Sequence, residues 1–426
     1  MIKDWQIKTI EEIAKTTSGG TPSRTNKDYY SGDILWVKSG ELNDNFIHDT
    51  EEKITGEAVK NSSAKLFPIG TVLMAMYGAT VGKTAILRNE ATTNQAVCGI
   101  IPYADKCDNE FLRFQFMFKR EDFLKQRYGG AQPNISQTII KTFDVLLPPL
   151  NEQKKIAYVL STIQKAIQQQ DKLISHTTEL KKALMQKLFT EGTKGEKQKQ
   201  TEIGSVPESW AEITIGDLGK CVTGTTPKTA FVQYWNSNDF DFIAPADIGN
   251  TKYVYNSSKM MSHDGLKVSR VLPKNSVLCV CIGSSIGKVG LTFKDQSATN
   301  QQINSIICKA DYNPIFTYYL MVHYAEHWRG HATFGPVPIL NKGQFELIKL
   351  FVSKDKKEQS IIANSLQTLD NKIEFHGKKK QTLSGLFKTL LHDLMTGERR
   401  VHEIEFETIN KKYKIKELPL RMAAED

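Results

Sequence analysis

Two stretches of the chain carry apolar residues at alternating spacings of four and three, which predicts two long helices. The first runs from Asn151 to Thr190, and the second repeats its rhythm 206 residues later. This spacing is typical of a coiled-coil seam. The predicted helix-packing positions are Ile156, Leu160, Ile163, Ile167, Leu184, Leu188, Ile362, Leu366, Leu369, Ile373, Leu383, Phe387, Leu390 and Leu394. We expect the two helices to pack against each other in antiparallel orientation, and a pair of amphipathic core helices is the alternative.

Short runs of β-branched and aromatic residues between turn-forming residues predict strands in the first third of the chain. A further polar–apolar stretch, 110–126, predicts a helix that ends before a Gly-Gly pair. The predicted strands are Trp5 to Ile10, Ile34 to Val37, Thr71 to Tyr77 and Phe143 to Leu147, and Gly78 to Gly82 is a predicted turn.

The whole pattern then occurs a second time, at an offset that drifts from 205 to 206 residues. The matched segments are Trp5 with Trp210, Gly78–Lys83 with Gly283–Lys288, Thr93–Gln95 with Thr299–Gln301, and Glu152–Gln153 with Glu358–Gln359. The stretches between them differ. Because function usually lies on loops that a rigid scaffold carries, we expect two related modules that recognise different targets.

The repeat predicts a mixed α/β fold with two similar globular domains and two long antiparallel helices. Residues 191–206 are rich in Lys, Gly, Gln and Glu, which predicts an exposed linker. The final tail either folds back beside the N-terminus or is loosely ordered. The expected divisions are recognition domain one at 1–148, helix one at 149–190, the linker at 191–206, recognition domain two at 207–353, helix two at 354–397 and the tail at 398–426.

Composition narrows the function. The formal net charge of +9 favours nucleic acid as a partner, although a basic protein with a solvated surface has the same balance. The six cysteines form no C-x-x-C pair, so we expect neither a zinc site nor a disulfide framework. The polar start of the chain and the lack of a long apolar run predict a cytoplasmic protein without a membrane span.

Two kinds of side chain are candidates for DNA contact. Hydroxyl and basic groups after glycine-rich turns suit phosphates, which position a protein without specifying sequence. Cationic and amide groups in the loops after each domain's helix suit base edges. The phosphate candidates are Thr21, Ser23, Arg24, Lys83, Thr226, Lys228 and Lys288, and the base candidates are Arg127, Gln132, Asn134, Gln137, Arg329, His331, Asn341 and Lys342. Both copies keep Asn-Gln at 94–95 and 300–301, which favours a shared structural role over adenine recognition.

Two motifs resemble motifs of enzymes, but both depart from the enzyme pattern. The Gly78–Thr84 loop has three residues between its glycines where a phosphate-binding loop has four, and its second copy has Val289 in place of the hydroxyl residue. A tight turn that offers a lysine to phosphate, or a plain hairpin, fits better. Asn313-Pro314-Ile315-Phe316 departs from the methyltransferase motif, and we expect a helix cap there. No catalytic set recurs in both copies, so we predict neither a catalytic nor a metal site.

Taken in order, these motifs resemble the specificity subunit of type I restriction–modification enzymes. The resemblance rests on the loop at 19–23, the turn at 78–83, Thr-Asn-Gln at 93–95, Pro-Pro-Leu-Asn-Glu-Gln at 148–153, and their second copies. The second copy departs where Thr225 replaces Gly20 and Val352-Ser353-Lys354 replaces Leu147-Pro148-Pro149.

The resemblance implies that each domain recognises one half of an asymmetric bipartite site in double-stranded DNA. It implies that the helices dock two modification subunits, which bind S-adenosylmethionine and methylate adenine, and that restriction subunits with ATP-driven, Mg-dependent activity join them. The chain itself would bind no cofactor and catalyse nothing. The alternatives are a coiled-coil scaffold without DNA binding and, less favoured, a DNA methyltransferase or an NTPase.

Overall fold

The computed structural model describes residues 4–125, 134–249, 251–333 and 335–401, and its chain divides into two compact units. The first unit combines residues 1–171 with residues 378–426, and the second comprises residues 172–377. Each long helix therefore contributes one half to each unit. Of the expected tail, 398–426, everything after Val401 lies outside the described residues.

The first unit is built from short strands and helices that precede the first long helix. Its strands are β1 Gln6–Thr9, β2 Ala14–Ser18, β3 Ile34–Val37, β4 Asn45–Ile47, β5 Lys53–Ile54, β6 Val72–Ala75, β7 Thr84–Leu87, β8 Ala91–Thr93, β9 Val97–Pro102 and β10 Asp144–Leu147. Its helices are α1 Ile10–Ile13, α2 Gly56–Lys60, α3 Asn109–Phe118, α4 Arg120–Lys125, α5 Gln137–Lys141 and the start of α6 Leu150–Glu191. The strands form a five-stranded sheet of order β2-β9-β6-β7-β4, a three-stranded sheet of order β5-β3-β8 and the pair β1-β10.

The second unit repeats this plan. Its strands are β11 Gln198–Thr201, β12 Gly204–Pro207, β13 Ala211–Thr214, β14 Gly219–Thr223, β15 Phe240–Ile243, β16 Tyr253–Val254, β17 Lys259–Met261, β18 Val277–Val280, β19 Val289–Thr292, β20 Ser297–Thr299, β21 Ile303–Cys308 and β22 Lys349–Val352. Its helices are α7 Ile215–Leu218, α8 His263–Lys267, α9 Pro314–His323, α10 Ala325–Arg329, α11 Lys342–Leu347 and α12 Lys356–Thr396. The sheets have the orders β14-β21-β18-β19-β16, β17-β15-β20 and β13-β22. The predicted mixed α/β fold with an internal repeat is confirmed.

The four predicted strands of the first domain are confirmed as β1, β3, β6 and β10, whereas its other six strands were missed. In β7 the sequence Thr-Ala-Ile-Leu is buried at every position, so it lacks the alternation that marks a half-buried strand. The helix predicted over 110–126 is wrong in one respect, because it is broken at Lys119 into α3 and α4. Asn313 caps α9 through Ile315 N and Phe316 N, as expected, and the equivalent cap in the first unit is Asp108.

Both long helices are continuous and run antiparallel within each unit. In the first unit, Arg400 bonds to Glu152 at 2.7 Å near the start of α6. Lys380 pairs with Asp171 at 2.6 Å, about five turns further along α6. In the second unit the start of α12 lies beside the end of α6, so the two helices are again antiparallel. The Thr193 amide donates to Glu358 there at 2.9 Å.

The polar middle of the predicted seam holds ion pairs. Lys181 of α6 pairs with Asp370 of α12 at 2.5 Å, and both side chains are about four-fifths buried. Asp370 also accepts a hydrogen bond from the Tyr319 hydroxyl of α9. A polar seam position can fix helix register at some cost in stability, and these pairs have the geometry for that role.

The apolar seam positions pack against the recognition domains as well as against a helix. In the first unit a single core cluster contains Ile156, Leu160 and Ile163 of α6, Leu383, Leu390 and Leu394 of α12, and strand residues of the domain, with Ile167 and Phe387 packed against it. In the second unit Leu188, Ile362 and Leu366 belong to the equivalent cluster, with Leu184 beside them. Leu369 is buried and Ile373 is half-buried. The helices thus form part of each domain's core.

A buried glutamine at the start of each long helix ties the helix to its domain. In the first unit, Gln153 Oε1 accepts from Asp108 N at 2.9 Å, and its Nε2 donates to the carbonyls of Lys106 and Pro148. Gln359 makes the same set of bonds in the second unit, to Asn313 N and to the carbonyls of Asp311 and Ser353. Each side chain therefore joins three segments of backbone. The Glu-Gln motif of the sequence is a structural anchor in both copies.

The residue before each glutamine completes this anchor. Glu152 accepts from Trp5 Nε1 at 3.2 Å, and Glu358 accepts from Trp210 Nε1 at 3.3 Å. Both tryptophans are almost completely buried. The repeat of Trp with Glu-Gln, about 148 residues apart in each copy, therefore reflects direct contact between the first strand and the long helix.

The second half of the expected linker, 191–206, folds as the hairpin β11–β12. Gly204 has a φ of 112°, which a residue with a side chain rarely adopts. Val206 is buried, and Lys199 Nζ donates to the Trp210 carbonyl. The polar composition concealed the hairpin because one of its faces is solvated and the other packs on the second domain.

Replacing the anchoring glutamine should destabilise the protein while preserving side-chain volume. We expect Gln359→Leu to lower the free energy of unfolding by about 2–3 kcal/mol, because one buried N–H and two buried carbonyls lose their partner. Guanidinium unfolding measures the change. Gln168→Leu, at an exposed position of α6, is the control and should stay within about 0.5 kcal/mol of the native protein. Equal effects of the two variants would contradict the anchoring role.

His323 should make stability depend on pH. Burial lowers its pKa from 6.5 to about 4, and its ring stacks on Phe189 at 4.9 Å. Between these values the unfolded chain binds a proton that the folded protein does not, so stability should fall as pH is lowered from 6.5 to about 4. Melting temperatures across this range should show a shallower dependence for His323→Phe. His176→Phe, at an exposed site on α6, should leave the dependence unchanged.

Candidate nucleic-acid interface

The two glycine-rich loops are held by the same contacts in both domains. The Thr21 hydroxyl bonds to Gln95 Oε1, and the Thr226 hydroxyl bonds to Gln301 Oε1 at 2.6 Å. A side chain at Gly19 would lie 2.0 Å from Thr93, so the close approach requires glycine. The same contact between threonine and glutamine therefore holds the glycine-rich loop in place in both domains.

The asparagines beside those glutamines shape the turn. Asn94 Oδ1 accepts from Ala96 N at 3.2 Å, and Asn300 Oδ1 accepts from Gln302 N at 3.1 Å. These bonds are the same in both domains. They supply the shared structural role that the sequence favours for Asn-Gln.

Arg24 is fixed in place on the surface of the first domain. Its guanidinium bonds to Glu52 at 2.6 Å and lies over the rings of Tyr30 and Trp36, at 4.2 and 4.9 Å. The hydrogen bond from Arg24 lowers the pKa of the Glu52 carboxyl. About half of the Arg24 side chain remains exposed, so it can still reach a phosphate.

The other groups of these two loops have lighter contacts. The Ser23 hydroxyl pairs with that of Thr25 at 2.7 Å. Lys228 Nζ lies 5.9 Å from the centre of the Phe231 ring, and its side chain is exposed. Both loops therefore present hydroxyl and basic groups at the surface.

The Gly-Ala-Thr-Val-Gly segment and its copy are tight turns, as predicted. Gly78 and Gly82 have φ values of 89° and 77°, and Gly283 and Gly287 have 93° and 99°. The lysine after each turn has a different setting. Lys83 donates to Asn43 Oδ1 at 2.8 Å, whereas Lys288 is exposed.

Of the base candidates in the first domain, Arg127 and Gln132 lie outside the described residues. Asn134 is exposed and forms a bridge with Tyr77, two residues after the end of β6. Gln137 Nε2 donates to the Thr16 carbonyl at 2.9 Å, which holds α5 against β2. Asn134 is thus better placed to meet a ligand than Gln137.

In the second domain the base candidates also differ in their availability. Asn341 caps α11 by accepting from Gln344 N at 2.9 Å, so its carbonyl oxygen is engaged. Arg329 pairs with Glu326 at 2.7 Å, and Lys342 pairs with Glu346 at 3.4 Å.

Those two pairs lie on exposed helix faces, where such interactions contribute little. The ring of His331 lies 5.2 Å from that of His327 and is solvent-exposed. Arg329, Lys342 and His331 therefore all remain available to an outside ligand.

The structure brings several of these groups together beside the second turn. The Arg329 side chain packs over Gly287, next to Lys288, and Gly283 N donates to the Pro338 carbonyl at 3.0 Å. The segment 335–340 therefore adjoins the turn. Sequence reasoning missed the exposed residues Val337 and Ile339 of this segment, although the 205-residue offset aligns them with Gln132 and Asn134.

The described residues contain no cluster of three or more side chains suited to hold a metal ion. Within the same part of the chain, no helix has the length and apolar character to cross a membrane.

Comparison with known proteins identifies the class. Residues 2–175 and 207–384 match the family model described as the type I restriction modification DNA specificity domain. These two matches cover most of the chain, which therefore belongs to that family. It is a specificity subunit of a type I restriction–modification system, a non-catalytic subunit with two target-recognition domains.

Named relatives agree with this assignment. The type I restriction enzyme MjaIX specificity subunit of Methanocaldococcus jannaschii is 31% identical over 244 residues, which cover 55% of this chain and 56% of the relative. The putative MjaX specificity subunit of the same organism is 25% identical over 423 residues, 94% of each chain. The crystal structure of the S subunit from M. genitalium shares the fold, with a TM-score of 0.64 at 15% identity over 92% of this chain and 96% of that one.

Lys288 provides a test of phosphate contact. We expect Lys288→Ala to weaken binding to duplexes of any sequence. The fall of log affinity with log salt should also become shallower by about 0.9, the value for the loss of one phosphate contact. Fluorescence anisotropy across a salt series measures both effects. Lys267→Ala removes an exposed lysine of α8 and is the control. A slope that Lys288→Ala leaves unchanged would remove this residue from the interface.

Proposed function

We propose that each recognition domain reads one half of an asymmetric bipartite site in double-stranded DNA, and that the two long helices dock two modification subunits. One observation carries the proposal. The two domains repeat the same anchors, such as Gln153 and Gln359, while their exposed loop residues differ, such as Asn134 and Ile339. A duplicated scaffold with divergent loops is suited to two different half-sites.

We further propose a division of labour within the complex. The modification subunits bind S-adenosylmethionine and methylate adenine, and restriction subunits with translocase activity use ATP and Mg²⁺. This chain contributes recognition without a cofactor. The complex would act on DNA in the cytoplasm.

Within this chain, the proposed phosphate contacts come from the glycine-rich loops and the tight turns. They are Thr21, Ser23, Arg24, Lys83, Thr226, Lys228 and Lys288. The base contacts come from the loops after each domain's helix. Among the described candidates there, Asn134, Arg329, His331 and Lys342 remain open to solvent, whereas Gln137 and Asn341 position the helices α5 and α11.

Genome-wide mapping of N6-methyladenine tests the proposal. A host that carries the modification partner is compared with and without this chain. We expect a bipartite motif that is methylated when the chain is present and unmethylated when it is absent. Replacing residues 1–148 by the recognition domain of a related subunit should then change one half of the motif and preserve the other.

Two outcomes would contradict the proposal. A change in both halves after the domain exchange would show that the domains do not act as separate readers. A methylation pattern that is identical with and without the chain, together with DNA affinity that does not fall as salt rises, would favour a scaffold that binds protein alone.

A further inference from the structure

Asn134 and Ile339 occupy the same position in the two recognition domains. Asn134 forms a bridge with Tyr77, and Ile339 forms the same bridge with Ile282. The following residues are also equivalent, since Ile135 N donates to the Met76 carbonyl at 2.7 Å and Leu340 N donates to the Cys281 carbonyl at 2.8 Å. Every one of these pairs is separated by 205 residues. The backbone therefore places an amide and an apolar side chain at one site of the repeated scaffold.

The second domain presents an apolar pair to solvent at this site. Val337 is 54% exposed and Ile339 is 41% exposed, while Leu340 is buried. Both residues belong to one short loop, which the bond from Thr333 N to the Ile339 carbonyl at 2.9 Å closes, so Val337 and Ile339 lie close together on the surface.

Folding does not require that surface to be apolar, because the first domain carries exposed Asn134 at the equivalent position. Pro338 and Leu340 supply the inward contacts of the segment. The apolar pair is therefore free to serve a contact outside the chain.

The surroundings of the pair indicate the chemistry of that contact. Gly283 N bonds to the Pro338 carbonyl, which places the segment against the turn that carries Lys288, and Arg329 packs over Gly287 of the same turn. The stretch from 327 to 345 contains Arg329 and Lys342, which pair on exposed helix faces with Glu326 and Glu346 at its two ends, and Lys288 nearby is exposed. An apolar surface near cationic side chains suits DNA, because DNA has an anionic backbone and bases that carry an apolar group.

We propose that Val337 and Ile339 contact the 5-methyl group of a thymine in the half-site read by the second domain. The thymine methyl is the apolar group that base pairs display in the major groove, and aliphatic side chains contact it. An asparagine in the equivalent place has the donor and acceptor that an adenine edge requires. The position 134/339 thus determines specificity, through an amide in one domain and an aliphatic group in the other. This inference rests on the proposed function.

Replacing thymine by deoxyuridine removes the methyl group and nothing else, which gives a direct test. The full chain is assembled with its modification partner and bound to a duplex that carries the methylation motif. Thymines in the half-site assigned to residues 207–353 by domain exchange are replaced one at a time. We expect one replacement to weaken binding about fourfold, the factor for one buried methyl-sized group.

The variant Ile339→Asn should bind the thymine duplex more weakly and should show no further loss with deoxyuridine at that place. Ile339→Ala should show a reduced loss. Leu347→Asn replaces a 74% exposed apolar residue of the same domain and should keep the full thymine preference.

Equal affinity of the native complex for every deoxyuridine duplex would overturn the inference, as would an unchanged preference in Ile339→Asn. Loss of the modification subunit from Ile339→Asn, with the thymine preference retained, would also overturn it and assign the pair to a protein contact. In each of these cases the native complex still prefers its motif over random DNA. Absence of that preference would instead refute the proposed function.

Discussion

The buried glutamine at the beginning of each long helix is the contact on which the rest of the structure depends. The strands of each recognition domain pair with one another, but the polar backbone groups at the ends of its segments also need partners. Gln153 and Gln359 satisfy three backbone groups each, from the loop before α3 or α9 and from the end of the last strand. Because these groups are buried, any sliding of the helix against the domain would leave them unpaired.

A second polar contact joins the domain to a long helix in each unit, but the residue types that form it differ between the two units. In the first unit the buried Arg113 donates to Gln164 of α6 at 2.8 Å and to the Asp44 carbonyl at 2.9 Å. In the second unit Tyr319 and Asp370 stand at the matching positions, 206 residues later, and bond to each other. The two copies thus preserve the place of the contact while exchanging a cation and an amide for a phenol and a carboxylate. This exchange is consistent with duplication followed by separate adjustment of each junction.

This rigid attachment explains how the loops can diverge. The scaffold contacts are made by backbone groups and by a few buried side chains, so exposed loop residues are free to change without loss of the fold. Asn134 and Ile339 illustrate this freedom, since the same backbone bonds hold both. This combination suits a specificity subunit with two target-recognition domains, because one scaffold carries different exposed residues in each domain. These contacts therefore account for both the similarity and the difference between the two domains.

Local patterns in the sequence were sufficient to predict the repeat, the two long helices, the turns and several strands, because periodicity, glycine placement and capping residues are local properties. The sequence also determined the family, through the order of short motifs. The tertiary structure alone decided that the supposed linker contains a hairpin, that Arg24 is held by Glu52 and two aromatic rings, and that each long helix is shared between two units. It also placed the segment that carries Val337 and Ile339 beside the turn 283–287, which Arg329 contacts and Lys288 follows. These features depend on contacts between residues far apart in the chain, which no local pattern encodes.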